Sequence, residues 1–382
     1  MLSKTFWSIA FRPFFLFSIA WSFLVLLIWT STNQGYAFVN LSTPASYWHG
    51  HEMIFGVMGA ILAGFLFTAS SNWTGTPPLS DGKLQSLFSA WALARILSLT
   101  PFQYAYLFFD LIFFSLFLYY LSKILFIKSQ KRNHLFLIVT LLFLLTNVSS
   151  HLGFIFDKTF LIMMGLHVGL NLILIYISII TGRVLPFFTK NVIHNSTLVK
   201  IPKLDAACTA SLFLILIVSA KGPASNYFVG VTLLSAALHF TRWLLWKPHE
   251  TIKKPILLTL YISYLWLILG LVFMALRTWL ELPVGVALHA QTVGALGGFI
   301  FSMVTRVSLG HTGRVIHASP MIIMIILFIN LGAITRVFAP IISVDFYNSS
   351  ILISGGLWMA AALLFVIKFY KILTQPRINQ LA

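Results

Sequence analysis

Imidazole is the side chain most often found on transition metals, and this chain concentrates it. It has 11 histidines in 382 residues. The stretch WHGHEMIFG, Trp48 to Gly56, sets His49 and His51 beside Glu52, directly before the uncharged run VMGAILAGFLFTAS. His151, His167 and His289 lie in other apolar stretches at what the charge pattern predicts to be the same depth. Polar groups at that depth are costly unless they are paired or line a cavity. A cluster of them on separate helices is therefore expected to hold a metal ion or a haem, whose iron takes one axial histidine from each side. His49 and His51 stand about 200° apart on a regular helix, so only one of them points inward. His51 is expected to be that one, and to form an axial haem pair with His289. His151 and His167, with His49, are the expected copper ligands. Glu52 either orients an imidazole or caps the start of its helix, where negative charge is favourable.

Other charged residues suit that site. Arg95, Lys221, Arg277 and Arg336 each close a helix just above the histidines. The arginine fork matches a carboxylate, so Arg95, Arg277 and Arg336 are expected to clamp haem propionates. Ordinary snorkelling to lipid headgroups is the alternative. Asp110 either pairs with Arg95 or relays protons. The string MVTRVSLGHTGRVIH, Met303 to His317, is expected to be a compact polar turn. In it Arg306, His311 and Arg314 hold a phosphate, a lipid headgroup or a second metal, or simply anchor two helices. A single cysteine, Cys208, excludes an intrachain disulfide and a thiolate-rich metal site.

These residues must be positioned by membrane helices. The chain is 59% hydrophobic and 9% charged, with mean hydropathy +0.93, where a soluble protein carries roughly a quarter charged residues. Apolar runs of about 20 residues, each long enough to cross a bilayer core, recur along its length. They predict an all-α polytopic protein of twelve helices, at about 14–31, 50–70, 84–99, 103–126, 134–152, 158–182, 204–220, 225–246, 255–279, 283–306, 317–339 and 350–373. The first is read as a retained helix rather than a cleaved signal. The net charge of +17 is explained by orientation, not by a nucleic-acid partner. With both termini cytoplasmic, most Lys and Arg fall on the inner side, and Arg95, Lys158, Lys221, Arg277 and Arg336 fall outside. Anionic lipid headgroups take up the inner charge.

The chain also echoes itself. His51, Gly56, Gly59 and Thr74-Gly75 recur at identical spacing as His289, Gly294, Gly297 and Thr312-Gly313. TGRV occurs at Thr181 to Val184 and again at Thr312 to Val315. Arg95 then Pro101, Lys221 then Pro223, and Arg336 then Pro340 follow a similar rhythm. One integral membrane domain, 1–382, built from four-helix units at about 1–126, 127–246 and 247–382, is the expected organisation. It resembles haem–copper oxidase architecture, without the consecutive histidine pair of a copper site.

Several strings carry a family resemblance: FRPFF (Phe11 to Phe15), WHGHEMIFG, NWTG (Asn72 to Gly75), GRVLPFFT (Gly182 to Thr189), HAQTVGALGG (His289 to Gly298) and VTRVSLGHTGR (Val304 to Arg314). In this order, over most of the chain, they resemble the NnrS family. The resemblance implies a multi-pass protein of the bacterial inner membrane that contains haem and copper and serves the nitric oxide response, nitrosative stress protection and denitrification. One departure stands out: the family often has a histidine where this chain has Tyr261. The expected function is to bind nitric oxide and protect against it. An oxidoreductase that turns nitric oxide over with electrons from a quinol or another respiratory donor is an open extension. The alternative is a secondary transporter that exports a metal or an iron–nitrosyl species, although transporters usually divide into six-plus-six halves.

Overall fold

The computed structural model describes residues 4–127, 131–222 and 224–378. Every backbone polar group in a hydrocarbon core must be satisfied within its own segment or by a closed barrel. The described residues answer with helices: α1 (Phe11–Asn33), α2 (Ala45–Thr74), α3 (Asp81–Leu97), α4 (Gln103–Ile127), α5 (His134–Ile155), α6 (Thr159–Val192), α7 (Pro202–Ser219), α8 (Asn226–Leu245), α9 (Pro255–Leu276), α10 (Val284–His311), α11 (Pro320–Ile342) and α12 (Phe346–Thr374). The expected twelve are all present, and 11 of them are long and apolar enough to cross a membrane. The exception, α3, has 17 residues and carries Asp81, Lys83 and Arg95. Proline opens α7, α9 and α11, where the first turn has no use for its missing N–H. Lys128 and Pro223 lie outside the described residues.

The chain divides into two compact units. The first comprises residues 1–173, 307–315 and 365–382; the second comprises 174–306 and 316–364. In the first, α2 packs on α1 and α4, and α4 packs in turn on α3 and α5. In the second, α8 packs on α7 and α9, and α10 packs on α9 and α11. Glu250, between α8 and α9, accepts hydrogen bonds from Ser196 Oγ at 2.5 Å and from the Thr197 N–H at 3.0 Å. The Ser196 hydrogen bond is the main cause that holds its carboxyl below the ordinary carboxylate value.

Two expectations shift. Helix 10 continues through Arg306 to His311, so the polar string is helix as far as His311, and Thr312 to His317 leave it. The turn comes at Gly313, whose φ of +75° suits glycine; Gly310 alone does not break a helix. The TGRV after α5 lies inside α6, which runs through Pro186 to Val192.

Both α2 and α10 depart from regular geometry at the same place in their pattern. Glu52–Val57 and Ala290–Gly297 wind as π-helix, directly after His51 and His289. Such widened turns are uncommon and gather at functional sites. Glycine permits them to pack. A methyl at Gly294 would lie 2.5 Å from Trp266 Cγ on α9. Gly294→Ala is therefore expected to cost about 1–3 kcal/mol through overpacking, seen as a lower thermal midpoint in detergent; an unchanged midpoint would mean that the π segment yields freely.

Candidate metal centre

Residues of α2 and of four neighbouring helices of the first unit converge around His51 and Glu52. Helical spacing brings the polar residues in pairs: Tyr106 and Asp110 lie on one face of α4, and Asn147 and His151 on one face of α5. Arg95 comes from the end of α3 and Trp21 from α1. His51, Glu52, Asp110, Asn147 and His151 are essentially inaccessible to solvent.

Charge organises the group. Arg95 Nη1 donates to both carboxylate oxygens of Glu52 at 2.7 Å, and its Nη2 donates to Asp110 Oδ1. Trp21 Nε1 donates to Glu52 Oε2 at 2.6 Å. A guanidinium with five N–H donors and no acceptor can hold two carboxylates in fixed positions. Gly56 makes room for this: a side chain there would run into the Arg95 guanidinium and Glu52 Oε2. Its carbonyl accepts from Trp91 Nε1 at 2.8 Å instead.

The hydrogen bonds set the His51 tautomer. Glu52, ionised beside Arg95, can only accept, so the Tyr106 hydroxyl donates its one proton to Glu52 Oε1. Tyr106 must then accept from His51 Nδ1, 2.6 Å away. That leaves the His51 lone pair on Nε2, which accepts from Asn147 Nδ2 at 3.2 Å. His151 Nε2 donates to Asp110 Oδ2 at 2.9 Å, and its ring centroid is 4.6 Å from that of His51. His51, Asp110 and His151 can each offer a ligand atom, all within 4.8 Å of one another. Two carboxylates face one guanidinium, so with neutral imidazoles the pocket holds a surplus negative charge. In a low-dielectric interior, a proton or a cation must balance it. Asn147 Oδ1 is buried without a hydrogen-bond partner among the described residues.

The other sequence candidates lie elsewhere. His49 stacks on Trp29, with centroids 5.3 Å apart. His167 is exposed, its Nδ1 2.8 Å from the Met163 carbonyl. His289 belongs to the second unit and donates from Nδ1 to the Gly285 carbonyl at 2.6 Å. Arg336 lies in the same unit over the Tyr347 ring, 4.6 Å from its centroid, and Arg277 follows the last turn of α9. Arg306 covers Phe188 at 3.7 Å, His311 lies beside Phe11 at 5.6 Å, and Arg314 donates to the Thr312 carbonyl at 3.4 Å. Tyr261, the departure from the family pattern, is buried with its hydroxyl 2.7 Å from Thr189 Oγ1. Glu52 orients rather than caps, because α2 begins at Ala45, well ahead of it. Sequence reasoning missed Tyr106, Asn147 and Trp21. The signal available was their spacing: Tyr106 stands one turn before Asp110, and Asn147 one turn before His151.

Fold and site together define a multi-pass helical membrane protein with a buried His–Asp–His cluster fit for a metal. The chain belongs to the NnrS family, whose model, described as NnrS protein, matches residues 5–377. Membership sets it among membrane proteins of the nitric oxide response, a family associated with metal cofactors. No curated protein matches the chain in sequence.

Removing Arg95 should expose how much rests on it. Arg95→Leu leaves Glu52 and Asp110 without a counter-charge and is expected to lower stability by about 3–5 kcal/mol, measured as thermal unfolding in detergent. The triple variant R95L/E52Q/D110N should recover much of that loss. Equal midpoints for the parent and R95L would show that the two carboxylates are already neutralised by protons.

Proposed function

We propose that His51, Asp110 and His151 hold a single copper ion, and that the protein uses it to bind nitric oxide and protect the cell from nitrosative stress. One observation carries the reading: a buried His–Asp–His donor set with surplus negative charge, in a chain of a nitric-oxide-response family. Imidazole and carboxylate ligands suit a transition metal. When bound, copper would supply an open coordination position and a one-electron couple to a small, nearly apolar ligand that enters from lipid.

The chain's own residues prepare that position. Tyr106 and Glu52 keep the His51 proton on Nδ1 and the lone pair on Nε2, as orienting partners of metal-bound histidines do. Arg95 anchors both carboxylates and so keeps Asp110 in reach of His151. The Asn147 amide stands beside the donor atoms with its oxygen available to a ligand or water. Phe55 and Phe154, with ring centroids 4.9 and 5.5 Å from that of His51, keep bulk water from the site.

The surroundings of His51 fit an ion rather than a macrocycle, since Asn147, His151 and Phe55 stand close against its ring. The haem reading rests instead on His289. Its Nδ1–H bond to Gly285 puts the lone pair on Nε2, the usual arrangement of an axial imidazole. Arg277 and Arg336 are the propionate partners in that reading. Family membership supports a bacterial inner membrane, and the distribution of Lys and Arg supports both termini on its cytoplasmic side. A quinol or another respiratory donor would supply electrons if nitric oxide is turned over.

The test is metal content and spectra of protein purified in mild detergent. About one copper per chain is expected in the parent, lost in H51A and H151A but retained in H49A and H167A. Tyr106→Phe should keep the ligands and weaken copper about 10–100-fold by releasing the tautomer. Nitric oxide should change the spectrum of the parent and leave H151A unaltered. Copper content unaffected by H51A, H151A and Y106F would remove the centre from this cluster. Metal-free protein that moves a metal across vesicle membranes would favour the export alternative.

A further inference from the structure

The two helices that carry His51 and His289 belong to a longer internal correspondence. Arg95 on α3 is followed by Tyr106 in the first turn of α4. At the same interval, Arg336 on α11 is followed by Tyr347 in the first turn of α12. In both places the guanidinium covers the tyrosine ring, at 5.6 Å in the first unit and 4.6 Å in the second. Each pair stands in the same unit as a π-wound helix headed by a histidine.

The correspondence breaks at the carboxylates. Glu52, the residue after His51, is replaced by Ala290 after His289. Asp110 is replaced by Ile351, at the same interval from Arg336 as Asp110 is from Arg95. Arg336 is nonetheless buried, at 5% exposure. It donates from Nη1 to Ser350 Oγ at 3.0 Å, and among the described residues no side-chain carboxylate comes within ion-pair distance of it. A hydroxyl and a ring face do not neutralise a guanidinium in a low-dielectric interior.

The space where a counter-ion would sit is defined by a glycine. A methyl on Gly285 would lie 3.3 Å from His289 Nδ1 and 3.8 Å from Arg336 Nη2. Gly285 and His289 are half-buried, so this point is reached from the end of α10 rather than through the core. We propose that Arg336 binds a carboxylate-type anion over Gly285, in the role that the Glu52 and Asp110 carboxylates play for Arg95. The group is a bent O–X–O anion with its charge spread over two oxygens, matched to one edge of the guanidinium. It comes either as a small free anion such as acetate or nitrite, or as an acid arm of a bound macrocycle. The proposal does not rest on the copper centre of the first unit, and only its macrocycle form rests on the haem reading proposed above for His289.

The experiment is thermal unfolding of the full chain in detergent, titrated with sodium acetate or sodium nitrite at ionic strength held by sodium chloride. The parent should gain a saturable rise in midpoint, and R336Q should lose about tenfold or more in apparent affinity. Gly285→Ala should fill the space and block the response with Arg336 intact. Ile351→Asp should place a carboxylate where the first unit has Asp110, abolishing the response without the charge being lost. If a macrocycle's acid arm occupies the site, free anions shift nothing in pigmented protein, and R336Q and I351D both lower the pigment retained. The response should persist in H151A, which separates it from the copper centre. Identical anion responses in the parent and R336Q, with pigment content also equal, would overturn the proposal and leave the Tyr347 ring and Ser350 as the whole environment of Arg336.

Discussion

A guanidinium inside a membrane protein has to be neutralised where it stands, and Arg95 is neutralised by two carboxylates on two different helices. Arg95 ties Glu52 of α2 to Asp110 of α4 from its own position on α3. Each carboxylate then does a second task. Glu52 receives the Tyr106 proton and so, through Tyr106, decides which nitrogen of His51 carries hydrogen. Asp110 receives the His151 N–H and meets the Asn147 amide at 3.3 Å. The cluster is a continuous network rather than a set of pairs, and buried networks are stable only when their members are satisfied together. The surplus carboxylate makes this network incomplete with neutral imidazoles alone. That is the electrostatic reason to expect a proton or a cation among His51, Asp110 and His151.

The π-wound segments serve the same end by backbone means. One extra residue per turn re-aims the side chains that follow, and Gly56 lets the Arg95 guanidinium lie close against α2. The second unit repeats the widening after His289 but surrounds it with Gly270, Gly294 and Gly298, packed against Gln291, Trp266 and Ser263 respectively. The second unit also contains its own buried polar group: Tyr264 links His239 and Arg242, and His239 Nε2 donates to the Cys208 carbonyl at 3.2 Å. There most donors end on backbone and hydroxyl groups, with Arg242 Nη1 also reaching Asp205 Oδ1 at 3.4 Å, and the arrangement is one that holds helices together. The contrast with the first unit lies in the carboxylates: Asp205, at the edge of that group, is partly exposed and shared with Lys200.

Composition and hydropathy alone determined the class of protein and its twelve helices, because a bilayer core imposes a length and an apolarity that local sequence must meet. That only one of His49 and His51 points inward also followed from helical geometry, the choice of His51 came from its alignment with His289, and pairing with Arg95 was one of two roles that charge left open to Asp110. Three things depended on the tertiary structure. The partnership of His51 with His151 and Asp110 joins α2, α4 and α5, and no spacing along one helix specifies which neighbours it will meet. The roles of Tyr106, Asn147 and Trp21 come from side chains whose residue types are common in membrane helices, so their types alone do not mark them. His167 shared the predicted depth with the cluster but faces away from it, because depth follows from position along a helix while facing follows from how that helix packs.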